Sequence, residues 1–189
     1  MSVATARPST AAGRLREDAV HGWEYLRFTA LLGSALVPRV VRRFLLNAAG
    51  AHVESGPGAR FSLRGTPRNL TIGPGVYCNT EVTIEAIAPV TIGANAAIGM
   101  QVLIATSHHA LDDPSDTERL GHWTEAPSGR PVSIGERVWI GGRAVILPGA
   151  VIDDDVVVAA GAVVSGHLRS HGVYGGVPAK RIRELEVPA

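Results

Sequence analysis

Two adjacent histidines, His108 and His109, open a long polar stretch near the middle of the chain. An imidazole titrates near neutral pH, so it can take a proton from a hydroxyl group and pass it to a leaving group. Imidazoles also bind metal ions, but such a site needs several ligands that converge from different parts of the fold. The next histidine, His122, belongs to the same loop neighbourhood, so the three histidines lack the spacing that a metal site needs, and no metal site is predicted. The alternative for a histidine in a polar loop is that it is simply solvated.

The residues that must position these histidines repeat every six places along the chain. An aliphatic residue opens each of six successive blocks, at Ile134, Ile140, Ile146, Ile152, Val158 and Val164. A helix repeats about every 3.6 residues and a strand about every 2, so neither explains this period. A coil that turns a corner every six residues does, because each block then places one large apolar side chain inside. The pattern predicts a parallel β-helix.

The same phase can be followed backwards through the first half of the chain. Two extra residues fall near Ala88, where a corner can absorb them, and the register is otherwise kept. Twelve blocks grouped in threes give four regular coils. The predicted fold is therefore an all-β solenoid over residues 51–173, with an irregular first coil over 52–70. The earlier block positions are Ile72, Cys78, Ile84, Ile92, Ile98 and Ile104.

A polar excursion, residues 110–131, interrupts the repeat. One block ends at His109, and the six-residue phase resumes at Ile134. The inserted segment is too long for a simple connection, and long loops in compact domains commonly serve a function. We therefore expect the inserted loop to act together with His109, which ends a strand of a rigid coil.

Composition limits the classes of function that remain. The 189 residues suit one domain, or a solenoid with short additions at its ends. A formal net charge of +1 gives no basic excess, so no nucleic-acid partner is expected. The single cysteine, Cys78, cannot form an internal disulfide, which fits a reducing cytoplasm. Its inward block position predicts a small buried side chain, not a reactive thiol.

Residues 1–20 lack a pattern and are predicted to be a flexible tail, and residues 21–50 are predicted to be a helical segment. Proline breaks this segment into two helices at Pro38. Its longest nearly apolar run has about ten residues, half of what a bilayer-crossing helix needs. The segment is therefore not predicted to cross a membrane. We expect it to cap the first coil or a neighbouring subunit, and the alternative is peripheral membrane contact through residues 23–50. The apolar side of the second helix carries Val40, Val41, Phe44, Leu45 and Ala48, with the arginines opposite.

Residues 174–189 are predicted to form a C-terminal turn and a short helix. Gly175 and Gly176 provide the turn, and Pro178 suits the first position of a helix. Such a helix would cover the last coil, whose open edge otherwise presents unpaired backbone groups to other chains.

Four short stretches, in this order, carry a resemblance to a known family. They are Y-C-N at 77–79, T-S-H-H-A-L-D at 106–112, V-W-I-G-G-R-A-V-I-L-P-G at 138–149 and G-G-V-P-A-K-R-I-R-E at 175–184. Over roughly residues 73–184, the chain resembles the hexapeptide-repeat acyltransferases, specifically the galactoside and maltose O-acetyltransferase branch. The segment before about residue 60 is unlike the N-terminus that is usual in that branch.

The resemblance implies an acetyl-CoA-dependent O-acetyltransferase that acts on a hydroxyl of a sugar or another small acceptor. It also implies a left-handed parallel β-helix, a homotrimer, and acetyl-CoA bound in the groove between subunits. His109, which x-Leu-Asp follows, matches the catalytic base of the family, and His108 is then structural. The alternatives are an N-acetyltransferase on an amino sugar, or a non-catalytic or metal-dependent protein on the same fold.

The resemblance further assigns residues to the acceptor. Asn79 matches an asparagine that faces the acceptor; the alternative is a corner asparagine that bonds its own backbone. The galactoside enzymes carry acidic residues where this chain has Ala86 and Ile87, which argues against a galactoside-like acceptor. The full acceptor set is Tyr77, Asn79, Glu85, Glu118 and Arg119.

A second set is assigned to the donor, acetyl-CoA. Trp139 matches a tryptophan along the active-site tunnel, and Gly141 and Gly142 let the backbone approach the thioester. A backbone N–H at these glycines would stabilise the developing oxyanion. Basic residues near the nucleotide phosphates and a backbone pairing site for pantetheine complete the set. The donor residues are Trp139, Gly141, Gly142, Ala160, Lys180 and Arg183.

Overall fold

The structure is a computed structural model, and it describes residues 10–13, 15, 19, 22, 26–108 and 128–186. The described ranges contain nineteen short strands, numbered β1 to β19 along the chain. Seventeen of them wind into a solenoid with three flat faces, and β9 and β10 form a separate pair. The strands that stack along each face are parallel, apart from the pair β18–β19. This confirms the predicted all-β solenoid, with about five turns.

The strands of each face follow one another in the order of their coils. Face A contains β1 (His52–Val53), β3 (Leu70–Ile72), β6 (Val90–Ile92), β11 (Val132–Ile134), β14 (Val151–Ile152) and β17 (His167–Leu168). Face B contains β2 (Ser62–Gly65), β5 (Thr83–Ala86), β8 (Leu103–Ala105), β13 (Val145–Ile146) and β16 (Val163–Val164). Face C contains β4 (Tyr77–Cys78), β7 (Ala97–Ile98), β12 (Trp139–Ile140), β15 (Val157–Val158), β18 (Gly172–Gly175) and β19 (Lys180–Glu184).

The six-residue period reflects one inward side chain per face and coil. On face A, for example, Ile72, Ile92 and Ile134 stack in register and are all buried. The small residue four places later fills the corner, as Ala144 does. Cys78 lies in the same column as Ile98 and is fully buried, as predicted. Burial raises the pKa of its thiol to about 12, so the thiol stays neutral in the native protein.

Two corners carry ladders of side chains that join successive coils. At the corner between faces C and B, Glu81 accepts hydrogen bonds from Arg60 and Gln101, and Gln101 accepts one from Arg143. These four residues all have positive φ angles of 56–62°, a left-handed conformation that the tight corner requires. We call them the glutamate ladder. The aspartate ladder, between faces A and C, contains Arg137, which bonds Asp155 through two nitrogens, at 2.7 and 2.9 Å.

The predicted C-terminal helix after Pro178 is wrong, because residues Lys180–Glu184 form strand β19. This strand turns back at Gly175 and pairs antiparallel with β18, so it completes face C. Main-chain hydrogen bonds to the open edge of the last coil outweigh the helix preference of five residues, which is too few to form a stable helix alone. The edge is covered as predicted, but by a strand.

The N-terminal segment contains a π-helical turn, Leu26–Leu31, and helix α1, Arg39–Ala48, which follows Pro38. The helix packs on the first coil through Leu46 and Arg42, which are both buried. The predicted cap requires the apolar side of the helix to pack on that coil, but only part of it does. Leu45 packs against the core, whereas Val40, Val41 and Phe44 are exposed.

The part of the chain before Leu26 is described at only a few positions. Positions 11–13, 15, 19 and 22 have helical backbone, and the rest of the predicted tail lies outside the described residues. Within the described ranges, no helix has both the length and the hydropathy that a membrane crossing requires. The division of the chain into tail, helical segment, solenoid and C-terminal part stays a prediction.

Candidate functional site

An outward row of side chains runs the length of face C and contains three of the predicted site residues. The strand register aligns Tyr77, Ala97 and Trp139, in that order, on three neighbouring strands. Because strands lie about 4.8 Å apart, the small Ala97 leaves a shallow groove between the two exposed aromatic rings. The row continues through Val157 and Val173 and ends at Arg183. It spans roughly 24 Å.

The corner between faces C and B holds four more predicted residues, stacked coil on coil. Asn79 follows β4, Gly141 and Gly142 follow β12, and Ala160 follows β15. The backbone links these levels, since the Gly161 N–H donates to the Gly142 carbonyl at 3.0 Å. The structure therefore brings this corner and the row of face C together along one edge of the solenoid.

The two glycines of this corner differ in the space around them. A Cβ on Gly141 would lie 2.5 Å from the backbone nitrogen of Ala160, so the stacking of coils excludes any side chain there. A Cβ on Gly142 would meet only Met100, at 3.2 Å from its oxygen and 3.4 Å from its Cγ. Gly141 is thus required by packing, whereas Gly142 lies nearer to open surface.

Asn79 supports its own corner. Its side-chain Oδ1 accepts a hydrogen bond of 2.8 Å from the backbone N–H of Thr80. This bond agrees with the alternative given for Asn79 from the sequence, a corner asparagine that bonds its own backbone. The Nδ2 group takes no part in that bond, so its two N–H donors are not committed by it.

Tyr77 makes a contact that the sequence did not predict. The guanidinium of Arg39, at the start of α1, lies over the Tyr77 ring, 4.7 Å from its centre. A cation over an aromatic face is an attractive arrangement. It fixes the first turn of α1 beside the first strands of face C, and no spacing in the sequence indicates the pair.

Glu85 lies at the root of the inserted loop, on the outward side of β5. Its Oε2 accepts a hydrogen bond of 2.7 Å from the Ser107 hydroxyl. The buried Thr106 braces the same place, because its hydroxyl donates to the Glu85 carbonyl and accepts from the N–H of Ala88. The sequence did not predict these contacts of Thr106 and Ser107. The six-residue phase does place Glu85 beside Ala105, and this neighbourhood is the signal that could have indicated them.

Strand β9 (Ser107–His108) carries the chain out of the solenoid and pairs antiparallel with β10 (Ser128–Gly129). The backbone of His108 lies opposite Ser128. His109, Glu118 and Arg119 lie outside the described residues, so the predicted base and the predicted loop contacts stay predictions.

One protomer does not bring all the predicted residues together. Glu85 and Ser107 lie where face B ends, whereas Gly142 lies where face B begins. The width of face B, a four-residue strand in β5, and two strand spacings along the solenoid, from β5 to β13, separate them by roughly 16 Å. The donor edge and the root of the inserted loop are therefore two separate places on a single solenoid.

Two predicted cationic residues lie on β19, at the far end of face C. Lys180 and Arg183 are both exposed. Their neighbour Arg181 is engaged elsewhere, since it donates to the Ser170 carbonyl at 2.6 Å and pairs with Glu184 at 3.0 Å. In the described ranges, no group of three histidine, cysteine, aspartate or glutamate side chains has the geometry of a metal site.

Comparison with known proteins assigns the class. A model of the family "Bacterial transferase hexapeptide (six repeats)" matches residues 131–166. Over 138 residues, the chain is 33% identical to the Escherichia coli protein named "Putative lipopolysaccharide biosynthesis O-acetyl transferase WbbJ". That match covers 71% of this chain and 70% of the relative. A galactoside O-acetyltransferase of Escherichia coli is 34% identical over 117 residues, which are 62% of this chain but only 55% of that protein.

Solved structures agree with this result. A hexapeptide-repeat acetyltransferase of Vibrio cholerae, complexed with acetyl coenzyme A, superposes with a TM-score of 0.73 at 28% identity. The match covers 95% of this chain and 92% of that one. A galactoside acetyltransferase in complex with coenzyme A gives a TM-score of 0.72 at 25% identity and covers 95% and 86% of the two chains.

The fold, the repeat and these relatives define a hexapeptide-repeat transferase. The chain belongs to the hexapeptide-repeat acyltransferase family, as the resemblance predicted. It is a CoA-dependent acyltransferase.

Proposed function

We propose that the protein transfers the acetyl group of acetyl-CoA to a hydroxyl of a sugar or another small hydroxylated acceptor. The observation that carries the proposal is the continuous edge formed by face C and its corner, from Tyr77 and Asn79 to Lys180 and Arg183. One end carries aromatic and amide groups that suit a hydroxylated acceptor, and the other carries cations that suit phosphates. The acetyl coenzyme A complex of one similar chain and the coenzyme A complex of another support the donor.

The donor lies along this edge in the proposed complex. Lys180 and Arg183 hold the nucleotide phosphates, and the exposed backbone at Ala160 pairs with the pantetheine arm. The thioester then reaches the corner at Gly141 and Gly142, beside the exposed ring of Trp139. The Gly141 N–H already donates to the Val158 carbonyl at 2.7 Å, so the N–H offered to the oxyanion in this proposal is that of Gly142. The stacked corner holds it rigidly, and it needs no rearrangement when charge develops on the carbonyl oxygen.

In the proposed reaction, His109 removes the proton of the acceptor hydroxyl while the oxygen attacks the thioester carbonyl carbon. The tetrahedral intermediate collapses, the carbon–sulfur bond breaks, and the departing thiolate of CoA receives the proton from the imidazolium. An N–H at the corner stabilises the oxyanion, a contribution of about 3 kcal/mol in comparable sites. Tyr77, Asn79 and Glu85 contact the acceptor, together with Glu118 and Arg119 from the inserted loop.

The separation of the two places on one solenoid favours a homotrimer, in which each site lies between copies. The donor edge at Gly142 and the loop root at Glu85 are roughly 16 Å apart on one solenoid, so one copy does not close a site around a small acceptor. If the donor edge of one copy faces the loop root of the next, His109 meets the thioester across the interface. Three such contacts close a ring.

The test is release of free CoA thiol from acetyl-CoA, measured with a panel of sugars, amino sugars and other alcohols. We expect thiol release with at least one hydroxylated acceptor, and His109→Ala should lower its rate by about 10²–10⁴-fold. His108→Ala serves as the matched control and should retain most of the rate. An unchanged rate in His109→Ala would overturn the base assignment, and turnover confined to amino groups would favour N-acetylation.

A further inference from the structure

The first helix presents an apolar surface that nothing in the described part of the chain covers. We call it the N-terminal patch and define it by Leu36, Val40, Val41 and Phe44. Leu36 is 92% exposed, Val40 68% and Phe44 70%. Positions 40, 41 and 44 lie on one side of a helix, because residues one turn apart stack along its axis. Contiguous exposed apolar side chains on a folded protein mark an interaction surface.

A buried arginine holds the patch outward. Arg42 is only 2% exposed, and its guanidinium donates to the carbonyls of Leu32 and Ser34, each at 2.6 Å, and to that of Pro57 at 3.3 Å. Burial, together with the positive charge of Arg39, lowers the pKa of Arg42, so its charge is held there at a cost. A rotation of the helix by half a turn would bury Phe44 and release Arg42 to water. Three directed bonds prevent that rotation.

The border of the patch is positively charged. Arg39 and Arg43 are exposed and lie one turn apart along the same edge of α1, beside Val40. The helix contains three arginines and no acidic residue. No aspartate or glutamate occurs between residues 26 and 53. An apolar strip with a purely cationic border complements a surface that is apolar inside and anionic outside.

We propose that the N-terminal patch docks on an anionic lipid bilayer, with α1 lying in the plane of the interface. The apolar side chains enter the boundary between headgroups and acyl chains, and Arg39 and Arg43 contact the phosphates. A second copy of this chain fits less well, because a symmetric contact would bring the arginines of the two helices together. The acidic side chains of Asp154 and Asp155, elsewhere on the solenoid, are already paired with Arg137.

The docked orientation also places the membrane relative to the site. Arg39 borders the patch and stacks on Tyr77, at the end of face C assigned to the acceptor. If the proposed function is correct, the acceptor end therefore faces the bilayer, and the CoA phosphates bind at the far end of face C, away from it. This orientation rests on the proposed function, whereas docking itself does not.

The test is co-sedimentation of the full chain with vesicles. Vesicles of phosphatidylglycerol and phosphatidylethanolamine supply an anionic surface, and phosphatidylcholine vesicles a neutral one. We expect binding to the anionic vesicles, with a bound-to-free ratio that Phe44→Glu lowers by about tenfold or more, since one buried aromatic side chain carries such a factor. Arg43→Gln should weaken binding at low salt only. Acetyl transfer is not needed for this readout, so failure of the proposed function would be seen separately.

Two matched controls and one mass measurement complete the design. Val151→Glu changes an exposed apolar residue on face A, and Arg169→Gln changes an exposed arginine of the last coil; both should leave vesicle binding unchanged. The molar mass in solution is measured for the wild type and for Phe44→Glu. No binding by the wild type, equal loss in a control, or a changed mass in Phe44→Glu would overturn the proposal. The last result would assign the patch to contact between copies.

Discussion

At the scale of single residues, Arg42 shows where a physical pattern in a sequence misleads. An amphipathic reading of α1 places arginines on the solvent side, because a buried charge without partners is costly. Here the guanidinium has partners, namely backbone carbonyls of Leu32, Ser34 and Pro57. Two of these precede the helix and one follows it, and no periodicity in the sequence places these three carbonyls around Arg42. The sequence therefore could not predict which arginine is buried.

This arrangement predicts a large difference between two neighbouring arginines. Arg42→Ala should lower the free energy of unfolding by about 2–4 kcal/mol, because it removes three hydrogen bonds from a charged donor and leaves buried carbonyls without them. Arg43→Ala, at an exposed position, should change it by less than about 0.5 kcal/mol. Urea unfolding at a fixed protein concentration measures both, since an oligomer's stability depends on concentration. Equal effects would show that the bonds of Arg42 contribute nothing beyond those of a surface arginine.

At the scale of elements, the strands were predictable because the solenoid imposes one rule on every coil. A residue such as Ile98 is inward for the same reason as Ile140, so a single six-residue period locates most strands and the buried columns. Strand β19 breaks the rule, because it runs antiparallel and its place is set by the open edge of β18. A five-residue segment with mixed character carries no period of its own. This segment becomes a strand because it pairs with β18, and the sequence pattern does not predict that pairing.

The corner between faces C and B gives the sharpest prediction at this scale. Gly141→Ala should destabilise the protein by about 1–3 kcal/mol or more, because its Cβ would lie 2.5 Å from a backbone nitrogen that the stacked coil holds in place. Gly142→Ala should cost less, about 1 kcal/mol or below, since its Cβ would lie 3.2 Å from the backbone oxygen of Met100 and 3.4 Å from its exposed side chain, and a shift of a few tenths of an ångström relieves both contacts. Thermal unfolding of the two variants, one position apart, provides the comparison. Similar losses would contradict the packing described for Gly141.

At the scale of the whole molecule, the repeat also explains how much of the site could be predicted. Tyr77 and Trp139 are 62 positions apart in the sequence, yet the period alone places both in the outward row of face C. The same regularity brings Asn79 and Gly142 to one corner. The relation of this edge to Glu85 and the inserted loop could not be predicted, because it depends on the brace at Thr106 and, in the proposed trimer, on contact between copies. A repeat describes neighbours within the solenoid, not what meets it from outside.

The two ladders join successive coils of the solenoid, and they predict how its stability responds to acid. Hydrogen bonds from Gln101 and Arg60 lower the pKa of Glu81, and the bond from Arg137 lowers that of Asp155. A lowered pKa means that the folded state favours the carboxylate. Each group therefore stabilises the fold above its ordinary pKa near 4 and loses that effect as the pH falls through the lowered value.

We expect stability to decline below about pH 5 in the wild type. The decline should be shallower in Glu81→Gln combined with Asp155→Asn, because neither side chain then binds a proton. Unfolding midpoints in urea between about pH 3 and pH 7 measure the slope. Removal of the opposite partner, Arg137→Gln, should reduce the slope in part, and an unaltered slope in both variants would show that acid destabilises the solenoid through other groups.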